Sequence, residues 1–168
     1  FGPRPDGGDV ISGPEWDLVE RPLLDHLATL GWETLIWGQQ RPSDNCDRAS
    51  ERDVLLDQRL RTALCEINLG PDHTTWLDEP RTNVAVAEVR SMPAGVKLVE
   101  ANQFSTALLV GGVTVPGLDG WDGGRDQTIN YIDWDNWEAN DFLAVSQFRV
   151  ATPGQAKDVR PDVTLFVN

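Results

Sequence analysis

The stretch Asn140 to Asn168, NDFLAVSQFRVATPGQAKDVRPDVTLFVN, holds the residues of this chain best suited to chemistry. Asp162 stands immediately before Val163-Thr164-Leu165-Phe166-Val167, a β-branched and aromatic run short enough for a buried strand. A carboxylate at the opening of such a strand is a hard oxygen donor of the kind that holds magnesium. Magnesium-dependent phosphodiester cleavage needs donors of this type around an octahedral ion, plus a base or a positioned cation beside the attacking water. Nucleases commonly supply them as an Asp that opens one strand and a Glu/Asp-x-Lys on the next, across a tight turn. The first half of that arrangement is present in this sequence and the second is not. Pro161-Asp162 also reads as an ordinary turn dipeptide whose carboxylate faces water.

Two strands must position Asp162. Phe142, Ala144, Ser146 and Phe148 alternate with Leu143, Val145, Gln147 and Arg149, which is a strand pattern, and ATPGQAK is a turn-rich connection to the second run. Further upstream, residues 1–13 are rich in Gly, Pro and Asp and read as a loose arm, with residues 14–168 as the domain proper. Ser12 and Glu15 have capping-box spacing, and Leu23, Leu24, Leu27 and Leu30 recur at helical intervals until Gly31. Pro22 suits a first helical turn, so Glu20 falls near the helix start, where a carboxylate is favourable against the dipole. Glu33 to Trp37 follows as a first strand. The apolar set Leu56, Leu60, Ala63, Leu64 and Ile67 predicts a helix from Asp53 to Ile67, with Ser50 as its cap. Two more helices are expected over 78–89 and 96–110, then strands at Val113-Thr114-Val115 and from Thr128 to Trp134. This order gives an α/β or α+β layer, a mixed sheet with flanking helices.

The bulk properties bound the function. A chain of 168 residues is long enough for a real core, and its 40% hydrophobic and 24% charged content is that of a globular domain. Its net charge of −13 argues against tight DNA binding by this chain alone, since phosphate contacts need a basic face. Cys46 and Cys65 form no CxxC, and His26 and His73 make no zinc pattern, so reduced thiols in a cytoplasmic protein are expected. No window approaches the ~18 apolar residues of a membrane span. Arg48 and Arg52 lie in a polar loop from which they could reach phosphate, a partner or solvent. Asp119, Asp122 and Asp126 lack the spacing and closing Glu of a calcium loop. Asp133 to Glu138 is an acidic, aromatic turn; a glycosidase would need its acids ordered across a cleft, and nothing in the sequence does so.

INYIDWDNWEANDFLAVSQFRV followed by DVRPDVTLFVN resembles the N-terminal segment of the restriction (R) subunit of type I restriction-modification enzymes. That family has an Ile-Asp-aromatic-Asp-Asn segment leading into Asn-Asp-Phe-Leu and Gln-Phe, and an Arg-Pro-Asp strand ending in Phe-Val-Asn. LLDHLATLGW, VLLDQRLRTALCEIN, LDE and LVEANQFSTALLVGGVTV resemble its earlier blocks in the same order, so the likeness runs from about Glu15 to Asn168. Ser146 and Thr164 depart from the pattern, standing where an Asn and an apolar residue are more usual.

The resemblance implies a restriction-endonuclease-like core, incomplete at the C-terminal end, in which Asp162 opens the second core strand and ligates Mg2+. It implies that Glu20, as the acidic residue of the first helix, helps hold the same ion. The acidic-x-Lys strand is expected after Asn168, so the purified 168-residue chain is expected not to nick DNA with magnesium. In the whole enzyme the implied partners are double-stranded DNA and the methyltransferase and specificity subunits. ATP belongs to motor domains that this sequence does not contain, for it has no Walker-type loop. The competing expectation is a non-catalytic module that docks on the methyltransferase and specificity subunits through an acidic helical face.

Overall fold

A computed structural model of the chain describes residues 13–36, 48, 50, 52–91, 96–151 and 158–168. In chain order its regular elements are α1 (Arg21–Thr29), β1 (Glu33–Ile36), α2 (Asp57–Ile67), α3 (Glu79–Arg90), α4 (Leu98–Gly111), β2 (Val113–Val115), β3 (Gln127–Ile129), β4 (Phe142–Ser146) and β5 (Val163–Val167). Helices and a mixed sheet make this an α+β fold, as the residue patterns predict. The chain divides into two units, Phe1–Leu56 with Phe142–Val167, and Asp57–Asp141 with Asn168.

The first unit is built on a three-stranded sheet in the order β1-β4-β5, with β1 parallel and β5 antiparallel to β4. As the central strand, β4 is closed on both faces, and Leu143, Ala144, Val145 and Ser146 are all fully buried. Leu143, Val145, Phe148 and Leu56 form its core, with Leu35, Val150 and Phe166 packed against them. Phe148 meets Phe166 edge-on at 5.0 Å between ring centroids, an arrangement aromatic quadrupoles favour. Arg48 lies over the Phe148 ring at 4.1 Å and donates to the Arg149 carbonyl at 2.7 Å. Its guanidinium is therefore used within this unit, not offered to phosphate.

β5 differs from the expected buried strand: it has a single neighbour among the described residues, which leaves its other edge unpaired, and on one face Leu165 and Val167 stay exposed. The opposite face carries Phe166 into the core and Thr164 with it. Thr164 Oγ1 is buried there without a hydrogen-bond partner among the described residues.

The second unit has its own core of Leu60, Leu64, Trp76, Leu77, Ala85, Val86, Val115, Ile129 and Tyr131. α2 begins at Asp57, four residues after the predicted start, because 50–53 closes a separate turn. There the Asp53 amide donates to the Ser50 carbonyl at 3.1 Å, and the Asp53 carboxylate accepts from the Ser50 amide. Ser50 is thus a turn residue and not a helix cap. α3 is capped by Asp78, whose carboxylate accepts from the Arg81 amide at 3.0 Å. α4 buries none of its residues, although Leu98, Val99 and Val110 are apolar.

β2 and β3 form an antiparallel pair that Gly112 makes possible. Its φ of 67° is left-handed, and a Cβ there would overlap the Ile129 carbonyl oxygen. The strand predicted over 128–134 stops at Ile129 because side chains replace its ladder. Asn68 Oδ1 accepts from the Asn130 amide and its Nδ2 donates to the Asn130 carbonyl, both at 2.8 Å. Asn140 then takes the Asp133 amide at 2.8 Å, and Asn168 donates to the Tyr131 carbonyl at 2.6 Å. No helix among the described residues is long and apolar enough to cross a membrane.

Candidate functional site

The approach to α1 places the first carboxylate. Residues Trp16–Glu20 form a wide π-type turn, in which the Arg21 amide donates to the Trp16 carbonyl, and α1 continues from it. Pro22 has no amide hydrogen to give, so the ladder changes register just before it. Such wide turns re-aim the side chains they carry, and Glu20, the last residue of this one, is buried at 6% exposure. It does not cap the helix. Its Oε2 accepts instead from Gln147 Nε2 at 2.9 Å and from the Ser146 hydroxyl at 3.3 Å. Oε1 has no hydrogen-bond partner among the described residues. No Lys or Arg among the described residues pairs with this carboxylate.

The end of β4 places the second. Ser146 is its last paired residue, opposite Val163, and Gln147 then takes a left-handed φ of 58°. A non-glycine residue in that region is uncommon and costs on the order of 1 kcal/mol. The bend keeps the Gln147 amide on the Asp162 carbonyl at 2.8 Å while its side chain reaches Glu20. Asp162 immediately precedes β5, as the sequence predicts, and its carboxylate is exposed with no bond to another described residue.

Gln147 therefore joins both carboxylate-bearing residues, Glu20 through its side chain and Asp162 through its main chain. Sequence reading names the two acids but not the residues that connect them. The Gln147-Phe148 pair carries part of the family likeness, but no local pattern shows that its amide meets an acid more than a hundred positions earlier. Ser146, one of the two departures from the family pattern, lies against Glu20, and no sequence signal gives that contact.

The other candidates are dispersed. His26 is exposed on α1, and His73 sits in a turn with a φ of 58°. Cys65 is half-buried and unbridged among the described residues, while Cys46 and Ser12 lie outside them. Glu100 accepts from the Lys97 amide at the start of α4, at 3.3 Å, and faces solvent with Asn102 and Gln103. Among the described residues no three His, Cys, Asp or Glu side chains come together to hold a metal ion.

Residues 14–168 match the family described as the N terminus of the type I restriction enzyme R protein, and the chain belongs to that family. No curated protein sequence matches it significantly.

Proposed function

We propose that this chain is the metal-holding part of the endonuclease of a type I restriction enzyme, with Asp162 and Glu20 as the Mg2+ ligands and with a restriction-endonuclease-like core in its first unit. The observation that carries the proposal is the state of Glu20. A buried carboxylate is costly unless a cation or several donors compensate it. Among the described residues Glu20 has two neutral donors on one oxygen, no cationic side chain, and no partner on the second oxygen. A divalent cation would supply the missing compensation. Oxygen donors suit Mg2+, which commonly uses one or two carboxylates and completes its shell with water and phosphate oxygens. Mg2+ supplies charge neutralisation at the phosphate and an acidified water.

The residues of the chain divide the remaining work. Asp162, exposed and unengaged at the strand opening, offers a carboxylate that phosphate and metal can reach. Glu20 is held through Oε2 by Gln147 and Ser146, so that its Oε1 remains to bind. Gln147 is a positioning residue, since it touches Glu20 and not the reacting atoms. Duplex DNA as substrate, and assembly with methyltransferase and specificity subunits, follow from family membership in the same reading; the net charge of −13 assigns most phosphate contacts to other parts of the assembly.

In the intact R subunit assembled with its partners, Asp162→Asn and Glu20→Gln are each expected to lower DNA cleavage at least 100-fold while assembly is unchanged. Gln147→Leu is expected to leave measurable cleavage but to raise the Mg2+ concentration needed for half-maximal rate. Full cleavage by Asp162→Asn would sink the proposal. Weakened assembly in surface variants of α2, with cleavage intact in both acid variants, would support the docking module instead.

A further inference from the structure

The second unit contains a cavity of about 380 Å3 that the carboxylate pair does not explain, lined among others by Gly70, Asp72, Thr74, Trp76, Leu118 and Trp121. Its walls are built before any ligand arrives. On one side the turn at 70–74 is closed by the Gly70 amide on the Thr74 carbonyl at 2.8 Å and the His73 amide on the Gly70 carbonyl at 2.9 Å. On the other, Arg81 donates to the Pro116 and Gly117 carbonyls, both at 2.6 Å, and so fixes the start of the 117–125 loop. Gly117 lets that loop fold back on itself, for a Cβ there would overlap the Arg125 carbonyl oxygen. The Trp121 amide bonds the Leu118 carbonyl at 3.0 Å, and its indole lies against Trp76 at 5.0 Å and 45°.

The chemistry of this lining selects a ligand class. The half-buried Trp121 indole, packed on the buried Trp76, gives the lining an aromatic surface, and Trp is the aromatic that attracts a cation most strongly. Asp72 adds a carboxylate at the rim. Its Oδ1 accepts from the Thr74 hydroxyl at 2.7 Å and the Thr74 amide at 3.2 Å, while Oδ2 has no partner among the described residues. The Thr74 hydroxyl, followed by its amide, holds the Asp72 carboxyl below its ordinary value of 3.8, so the group is charged at neutral pH. No lining residue is a cation, so a nucleotide would bring its phosphate against Asp72 with nothing to neutralise it. Asp119 is exposed beside Leu118, and the whole chain carries −13. A second positive charge near the first is therefore also favoured.

We propose that this pocket takes the arginine or lysine side chain of a basic segment in a partner protein, with the cation against the Trp121 indole and Asp72 pairing with it. A lone cation gains little from one aromatic contact in water, so the segment's neighbouring positive charges are needed for useful affinity. The site shares no residue with Glu20 or Asp162, so it stands or falls separately from the nuclease reading.

The test uses the isotope-labelled 168-residue chain and follows amide and indole resonances during titration. Acetyl-argininamide is expected to give saturable shifts at Gly70 to Thr74 and at Trp121, with acetyl-citrullinamide, its neutral isostere, roughly five-fold weaker or less. A peptide with two arginines is expected to bind more tightly than the single residue. Asp72→Asn and Trp121→Ala are expected to remove the shifts while the other resonances keep their dispersion. Equal binding of citrulline, no gain from the second arginine, retention of binding in both variants, or shifts produced by a deoxynucleotide and not by arginine would each overturn the proposal.

Discussion

Thr164 shows how a single side chain can be judged against its surroundings. It stands opposite Val145 in the β4–β5 ladder with its hydroxyl buried and unpaired, on the face that also carries Phe166 to the core. A buried hydroxyl without a partner loses its water contacts and receives nothing in exchange. Val has the same branched shape without the hydroxyl, so Thr164→Val is expected to raise unfolding free energy by about 0.5–1.5 kcal/mol. Chemical denaturation at constant slope measures this, and a loss of stability would show that Thr164 Oγ1 has a partner after all. Glu20 presents the contrasting case, because one of its oxygens is held by two donors and the other is proposed to bind a metal ion.

Among the elements, α3 has the clearest dependence on one residue. Asp78 holds the Arg81 amide at its N-terminus and pairs with the Arg81 guanidinium, which in turn carries the Pro116 and Gly117 carbonyls. Asp78→Ala removes the cap and frees the arginine. The expected loss is about 1–2 kcal/mol, read from urea unfolding. Asp78→Ser, which keeps a capping oxygen, should recover part of it; no difference between the two variants would refute the capping account. The elements also explain where boundaries move. α2 starts late because the Ser50–Asp53 turn satisfies its own polar groups, and β3 ends early because Asn68 takes over the bonds of Asn130. Side chains that compete with a ladder shorten it.

For the molecule as a whole, charge and one buried phenol set the response to alkali. Tyr131 is the single tyrosine, is buried, and donates to the Ala85 carbonyl at 2.7 Å. Burial, and secondarily the charge of Glu88, push its pKa far above the usual 10.0. A folded value above the unfolded one means this contribution to stability is complete below pH 10 and is lost as pH rises past it. The chain, already at −13, also gains negative charge in that range and repels itself more strongly. Tyrosinate absorbance is therefore expected to be absent at pH 10.5, where a free phenol is mostly ionised, and to appear only together with the loss of helical circular dichroism. An ordinary titration curve centred near 10 in the folded protein would contradict this burial.

Much of the architecture follows from the sequence alone, since it depends on local pattern. Leucine spacing gives α1, the Leu60 to Ile67 stripe gives α2, alternation gives β4, and Pro-Asp before an apolar run gives the start of β5. The likeness to type I restriction R subunits spans the same residues, and the family match confirms it. The acids Asp162 and Glu20 can be named on that basis. Only the tertiary structure decides that Gln147 ties them together, that β5 has an uncovered face, and that Trp76 and Trp121 share a pocket. Those facts depend on contacts between positions far apart in the chain and on which strand has a neighbour, and neither periodicity nor propensity records them.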